Sequence, residues 1–255
     1  LFGHLRFATL YDPREGLPSL KQNIAAIEYA LNVANESGTD LLLQDYRPPD
    51  QLRCVGCSGW EALPSLLGYN LRVLPADSGI PIPNAGAYLM RAADHPSELH
   101  NTLGKPQTLT TWLHLLHIPP AQDLPLDIGS VSTYKFDNGA EVVGLIGSPP
   151  TELPATGSPW KAALVWKSGG APHADYKFFA HLVDGEGVKY AQADPLALPS
   201  RYWRHGETVV SSLDFHLPDN LPNSVPLYLR FGMYDNDTLV PIIDKDGHPT
   251  ADHGL

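Results

Sequence analysis

Residues 175–187 read DYKFFAHLVDGEG. Aromatic and β-branched residues fill a run of strand length, and the run ends in Asp-Gly with a second glycine close behind, the residues of a tight turn. His181 to Asp184 therefore carries a strand into a two-glycine turn. Similar runs recur over the rest of the chain: SVSTYKF and its DNG, AEVVGLIG, WKAALVWKSG, KYAQAD, ETVVSSLDFHLP, VPLYLRFGMYDND and LVPIID. Helical periodicity is absent beyond about residue 118. Short strands at regular intervals, separated by Asp-Asn-Gly and Asp-Gly turns, predict an antiparallel β-sandwich, jelly-roll or immunoglobulin-like. Trp166 and Phe178, at alternate strand positions, are expected to fill the space between its sheets. Gly232 interrupts an aromatic-rich strand and marks a place where a neighbour must approach closely.

The first half reads differently. HLRFATLY (4–11) is strand-like. SLKQNIAAIEYALNVANES (19–37) has apolar residues at 20, 24, 27, 31 and 34, a helical spacing, with Ser19 as N-cap and Gly38 as the stop. TDLLLQDY (39–46), YNLRVLPA (69–76) and GAYLMRAA (86–93) read as strands, and a weak helix is predicted near 107–117. Strand, helix and strand in succession predict a small α/β domain with a partly parallel sheet. The proline-rich join IPPAQDLPLDIG separates the two halves, giving an α+β chain of two domains, 1–120 and 121–255.

The 43% hydrophobic content is that of a globular chain, and 25 prolines with 22 glycines favour strands and turns over long helices. The formal net charge is -11: residues 1–120 carry 8 basic against 11 acidic side chains, and residues 121–255 carry 9 against 17. Without a Lys/Arg cluster such a chain lacks the footprint of a nucleic-acid binder. No apolar run approaches the ~20 residues of a membrane-spanning helix. The opening LFGHLRFATLY has neither the basic start nor the cleavage site of a signal peptide, nor an initiator Met.

The two cysteines, Cys54 and Cys57, stand as CxxC in RCVGCSGW. The pair can be a small disulfide, a redox centre or half a metal site. A second Cys pair is absent, and the intervening RPPDQL spoils the strand-to-helix setting that a redox pair needs. The carboxylates of DND and DKDG (Asp235, Asp237, Asp244, Asp246) are of the kind calcium prefers, but neither segment completes a twelve-residue calcium loop. Scattered histidines (His173, His181, His205, His216, His248, His253) form no HExxH-like pair. GxSxG, GxGxxG and Walker patterns are absent, and no catalytic residue and no cofactor is expected. For sugar stacking the candidates are Tyr202 and Trp203 in the loop-like PSRYWRHGE, with Tyr190 and Trp160.

Taken in order, FDNGAEVVGLIG (136–147), ALVWK with Trp166, DYKFFAHLVDGEG (175–187), Ala193-Asp194-Pro195, Tyr202-Trp203-Arg204-His205-Gly206-Glu207 and LYLRFGMYD (227–235) resemble a β-sandwich module. That module lies at the extracytoplasmic C-terminal end of large bacterial membrane proteins similar to the dolichyl-phosphate-mannose-dependent protein mannosyltransferase family. QNIAAIEYA and LLLQDY resemble, more weakly, the segment before it. The resemblance implies a membrane-tethered chain on the periplasmic or cell-surface face. Its partners would be the membrane-embedded part of the same polypeptide and a glycan or polypeptide acceptor, with the reaction centre elsewhere and no enzyme activity in this chain alone. An oxidising location favours the disulfide reading of Cys54 and Cys57. Two other readings stand beside this one: a glycoside or ester hydrolase with its site between the halves, and a thiol-redox domain using the CxxC.

Overall fold

The computed structural model of the chain describes residues 20–44, 68, 71–75, 78–92, 103–110, 113–125, 134–147, 159–169, 174–194, 198–218, 221, 226–244 and 246–250. HLRFATLY, Ser19 and the CxxC of Cys54 and Cys57 lie outside the described residues. The chain forms two compact units, one from residues within 1–76 and 83–122, the other from 77–82 and 123–255. Beside the division at 120 expected from the sequence, residues 77–82 group with the second unit.

In chain order the first elements are α1 (Leu20–Glu36), β1 (Asp40–Gln44), β2 (Arg72–Leu74), β3 (Ile80–Ile82), β4 (Ala87–Ala92), β5 (Gln107–Thr108) and β6 (Leu113–Ile118). All but β3 belong to the first unit, where the strands form one sheet in the order β2-β1-β4-β6-β5. β2 and β4 run parallel to β1, whereas β6 is antiparallel to β4 and β5 to β6. The helix stripe Ala26, Ile27, Ala30 and Ala34 recurs every three or four residues and is buried with Leu41, Leu43, Met90, Leu113 and Leu115. Leu42, Leu74, Leu89 and Leu116, of opposite strand parity, are fully buried too, so both faces of this sheet are covered. Gly38, at φ 66°, ends the helix, with the Thr39 N–H donating back to the Ala34 carbonyl at 2.9 Å.

The helix predicted near 107–117 is instead a hairpin. The N–H groups of Leu109 and Thr110 donate to the Leu113 carbonyl, and the Leu113 N–H donates to Thr110 Oγ1. Leu113 and Leu115 are buried on one face of β6, and Leu116 and Ile118 on the other. A strand buried on both faces loses its period-two signature and cannot be told from a short helix by pattern.

The second unit adds β7 (Tyr134–Phe136), β8 (Glu141–Ile146), β9 (Pro159–Lys167), β10 (Lys177–Asp184), β11 (Lys189–Ala193), β12 (Thr208–His216), β13 (Leu227–Asp235), β14 (Thr238–Leu239) and β15 (Ile242–Ile243). Six strands pair in the order β15-β7-β8-β9-β12-β3 and four in the order β11-β10-β13-β14. Every pairing in both sheets is antiparallel, as in a β-sandwich. The β3 strand, IPI, was not predicted, because a proline inside a run argues against a strand. It is tolerated here at the sheet edge, beside β12.

Rings from the two sheets meet in the core. Phe178 of β10 lies 5.1 Å from Trp166 of β9 and 6.1 Å from Phe136 of β7, centroid to centroid. The buried Trp166 indole N–H donates to Ser211 Oγ on β12 at 3.1 Å, which satisfies the one polar group this ring brings inside. The expected packing role of Trp166 and Phe178 is what the structure has.

Candidate binding face on the four-stranded sheet

Strand alternation sorts β10 into two sets. Phe178 faces the six-stranded sheet, so Phe179 and His181 face the other way. The register pairs Phe179 with Gly232 and His181 with Arg230 on β13, and Tyr234 follows on the same parity as Gly232. These residues, with Asp194 beyond the end of β11 and Asn236, Asp237 and Leu239 of the β13–β14 hairpin, line a cleft of about 530 Å³. That size lies within the ~300–1,000 Å³ of small-molecule sites.

Three rings make the floor. Phe179 stands 4.7 Å from the His181 ring, tilted by 33°, and 6.3 Å from Tyr234, stacked at 25°. Gly232 is what allows this: a Cβ there would lie 2.1 Å from Phe179 Cζ and 2.2 Å from its Cε1. The Phe179 ring therefore rests directly on the β13 backbone, which explains why an outward-facing phenylalanine is only 8% exposed. A glycine covered by a cross-strand aromatic ring is a known device for pinning register.

The polar groups of the cleft keep unused hydrogen-bonding capacity. Arg230 Nε is enclosed and meets no hydrogen-bond partner. A guanidinium offers five donors, and an orphan donor costs about 1–3 kcal/mol until something accepts from it. Burial, aided by Lys189 and Arg230 and opposed by Asp194, holds the His181 imidazole below its ordinary pKa, so near neutrality one ring nitrogen is free to accept. The Tyr234 hydroxyl is pushed up by burial and by Asp194 and Asp237, so it stays a protonated donor. Asp194 Oδ2 accepts from Gln192 Nε2 at 3.1 Å, and Asn236 donates to Asp235 Oδ1 at 2.9 Å. Aromatic rings beside the unpaired Arg230 Nε, a neutral imidazole and a protonated tyrosine hydroxyl suit a ligand with both apolar and hydroxyl-rich surfaces.

The candidates named from sequence lie elsewhere and do not converge. Trp160 stacks face to face on Phe215 at 4.9 Å and lies outside the cleft lining. Trp203 is half-buried, 5.2 Å from Trp166 and 5.6 Å from Tyr176, with its N–H donated to the Leu198 carbonyl. Tyr202 lies under the Arg201 guanidinium at 4.8 Å. Tyr190 donates its hydroxyl to Asp184 Oδ2 at 2.9 Å and so belongs to the β10–β11 turn. The calcium candidates are not gathered either. Asp244 Oδ1 accepts from the backbone N–H groups of Asp246 and His248, an ordinary turn. Among the described residues no three His, Cys, Asp or Glu side chains come together as a metal site. The sequence names His181 only among scattered histidines and at the start of a strand into a turn, and marks none of Phe179, Arg230 and Tyr234 as a site residue, since only the register of β10 against β13 brings them together.

The chain matches no protein-family model and no curated protein. Among solved structures it has a slight likeness to a β-glucuronidase from glycoside hydrolase family 2: TM-score 0.28, 7% identity, spanning 40% of this chain and 13% of that one. A likeness of that size carries no argument about fold or activity. Among the described residues no helix is long and apolar enough to cross a membrane.

Proposed function

We propose that this chain is a glycan-recognising, non-catalytic extracytoplasmic region of a membrane-tethered, glycosyltransferase-like protein. In this reading an α/β domain precedes a jelly-roll or immunoglobulin-like sandwich, Cys54 and Cys57 form a disulfide, and the sandwich holds a mannose-rich glycan or glycosylated acceptor for the membrane-embedded part. The tether and the location rest on the ordered motifs of the sequence. The binding half rests on one observation: the His181–Phe179–Tyr234 ring row over Gly232, flanked by the unpaired Nε of Arg230. Sugar rings stack their C–H faces on aromatic rings while their hydroxyls seek donors and acceptors beside them, and both are supplied on one surface.

The test is a mannose-rich glycan array read with the intact chain and with Tyr234→Ala. Binding by the intact chain, with signals at least several-fold weaker for the variant, supports the reading. An empty array, or equal signals from the two proteins, sinks it.

A further inference from the structure

Along β13 the alternation that faces Arg230, Gly232 and Tyr234 to the cleft also faces Tyr228 to that side. Its cross-strand partner is Val183, one step beyond the His181–Arg230 pair on the same parity. Tyr228 lies outside the cleft lining and is 54% exposed, the most open of the large apolar side chains in the described residues. An exposed tyrosine alone is ordinary. This one continues the row, with its Cε2 at 4.0 Å, ordinary contact distance, from where a Cβ on Gly185 of the β10–β11 turn would stand. From Tyr228 to Tyr234 is six residues, about 20 Å at ~3.4 Å per residue. One sugar ring cannot bridge that span.

We infer that Tyr228 is a second stacking subsite, and that the outer face of the four-stranded sheet takes a linear, neutral oligosaccharide of several units lying along β13. The Tyr234–Phe179 end holds one part of the ligand, the Arg230–His181 pair hydrogen-bonds the middle, and Tyr228 stacks on the far unit. Neutrality follows from the charges on the face, where Arg230 and Lys189 stand against the carboxylates of Asp194 and Asp237, two of each sign. The inference rests on the glycan reading above and deepens it.

Calorimetric titration with α-linked mannose, mannobiose and mannotetraose separates the two. For the intact chain, mannotetraose is expected to bind roughly two- to tenfold tighter than mannobiose, the worth of one further ring contact. In Tyr228→Ala the tetraose-to-biose affinity ratio falls to about one, and Tyr228→Phe restores it. Circular dichroism and melting of the variants confirm that the sandwich is intact. Equal affinities for biose and tetraose, or a ratio unchanged in Tyr228→Ala, overturn the extended site while leaving the glycan reading standing. No heat from any member of the series overturns both.

Discussion

Gly232 is the position on which the binding face turns. The Phe179 ring occupies the space any side chain there would need, with Cζ 2.1 Å from the site of a Cβ. Gly232→Ala is therefore expected to destabilise the sandwich by about 1–3 kcal/mol, the ordinary cost of forcing an extra methyl into filled space. It also lifts Phe179 from its place between His181 and Tyr234, so glycan binding should fall with stability. Chemical denaturation reads the first effect and titration the second. A variant as stable as the parent, with its Phe179 resonances unmoved, would contradict the ring-on-backbone contact. The sequence already marked Gly232 as a point of close approach. It did not reveal which residue approaches, because a glycine in a strand announces a missing side chain while its partner is set by register.

At the scale of elements, the β10–β11 hairpin is tied by one carboxylate. Asp184 Oδ1 accepts the backbone N–H groups of Glu186 and Val188 at 2.9 Å each, and its Oδ2 accepts the Tyr190 hydroxyl. The backbone bond from Val188, with those from Tyr190 and Glu186, outweighs burial and holds the Asp184 carboxyl below its usual pKa. A depressed folded pKa gives stability that is present above the unfolded value, ~3.9, and drains away as pH falls through the lower folded value. Asp184→Asn should therefore lower the melting temperature at neutral pH and flatten its fall below about pH 4. Identical acid limbs for parent and variant would show that the turn does not depend on this charge. Elements of this kind were legible: DGEG announced its turn, and the strands of the second half follow their turn residues closely. Two elements were not. LHLLHI, buried on both faces, carries no alternation, and IPI hides a strand behind a proline that only an edge position permits.

Over the whole molecule, the described residues are rich in β-structure in three sheets, with the long helix α1 against one of them. The binding face was the least legible part. Sequence reading favours aromatics in loops, such as Tyr202 and Trp203, because loops are exposed. Here those rings are drawn into packing with Trp166, Tyr176 and Arg201. The rings that line the cleft lie instead on strands, where the register pairs Phe179 with Gly232 and His181 with Arg230. The most direct measurement of that claim is a nuclear magnetic resonance titration of the isotopically labelled chain with mannotetraose. Shifts concentrated on Phe179, His181, Arg230, Tyr234 and Tyr228 are the predicted result. Shifts confined to Tyr202 and Trp203, or none at millimolar sugar, would contradict it.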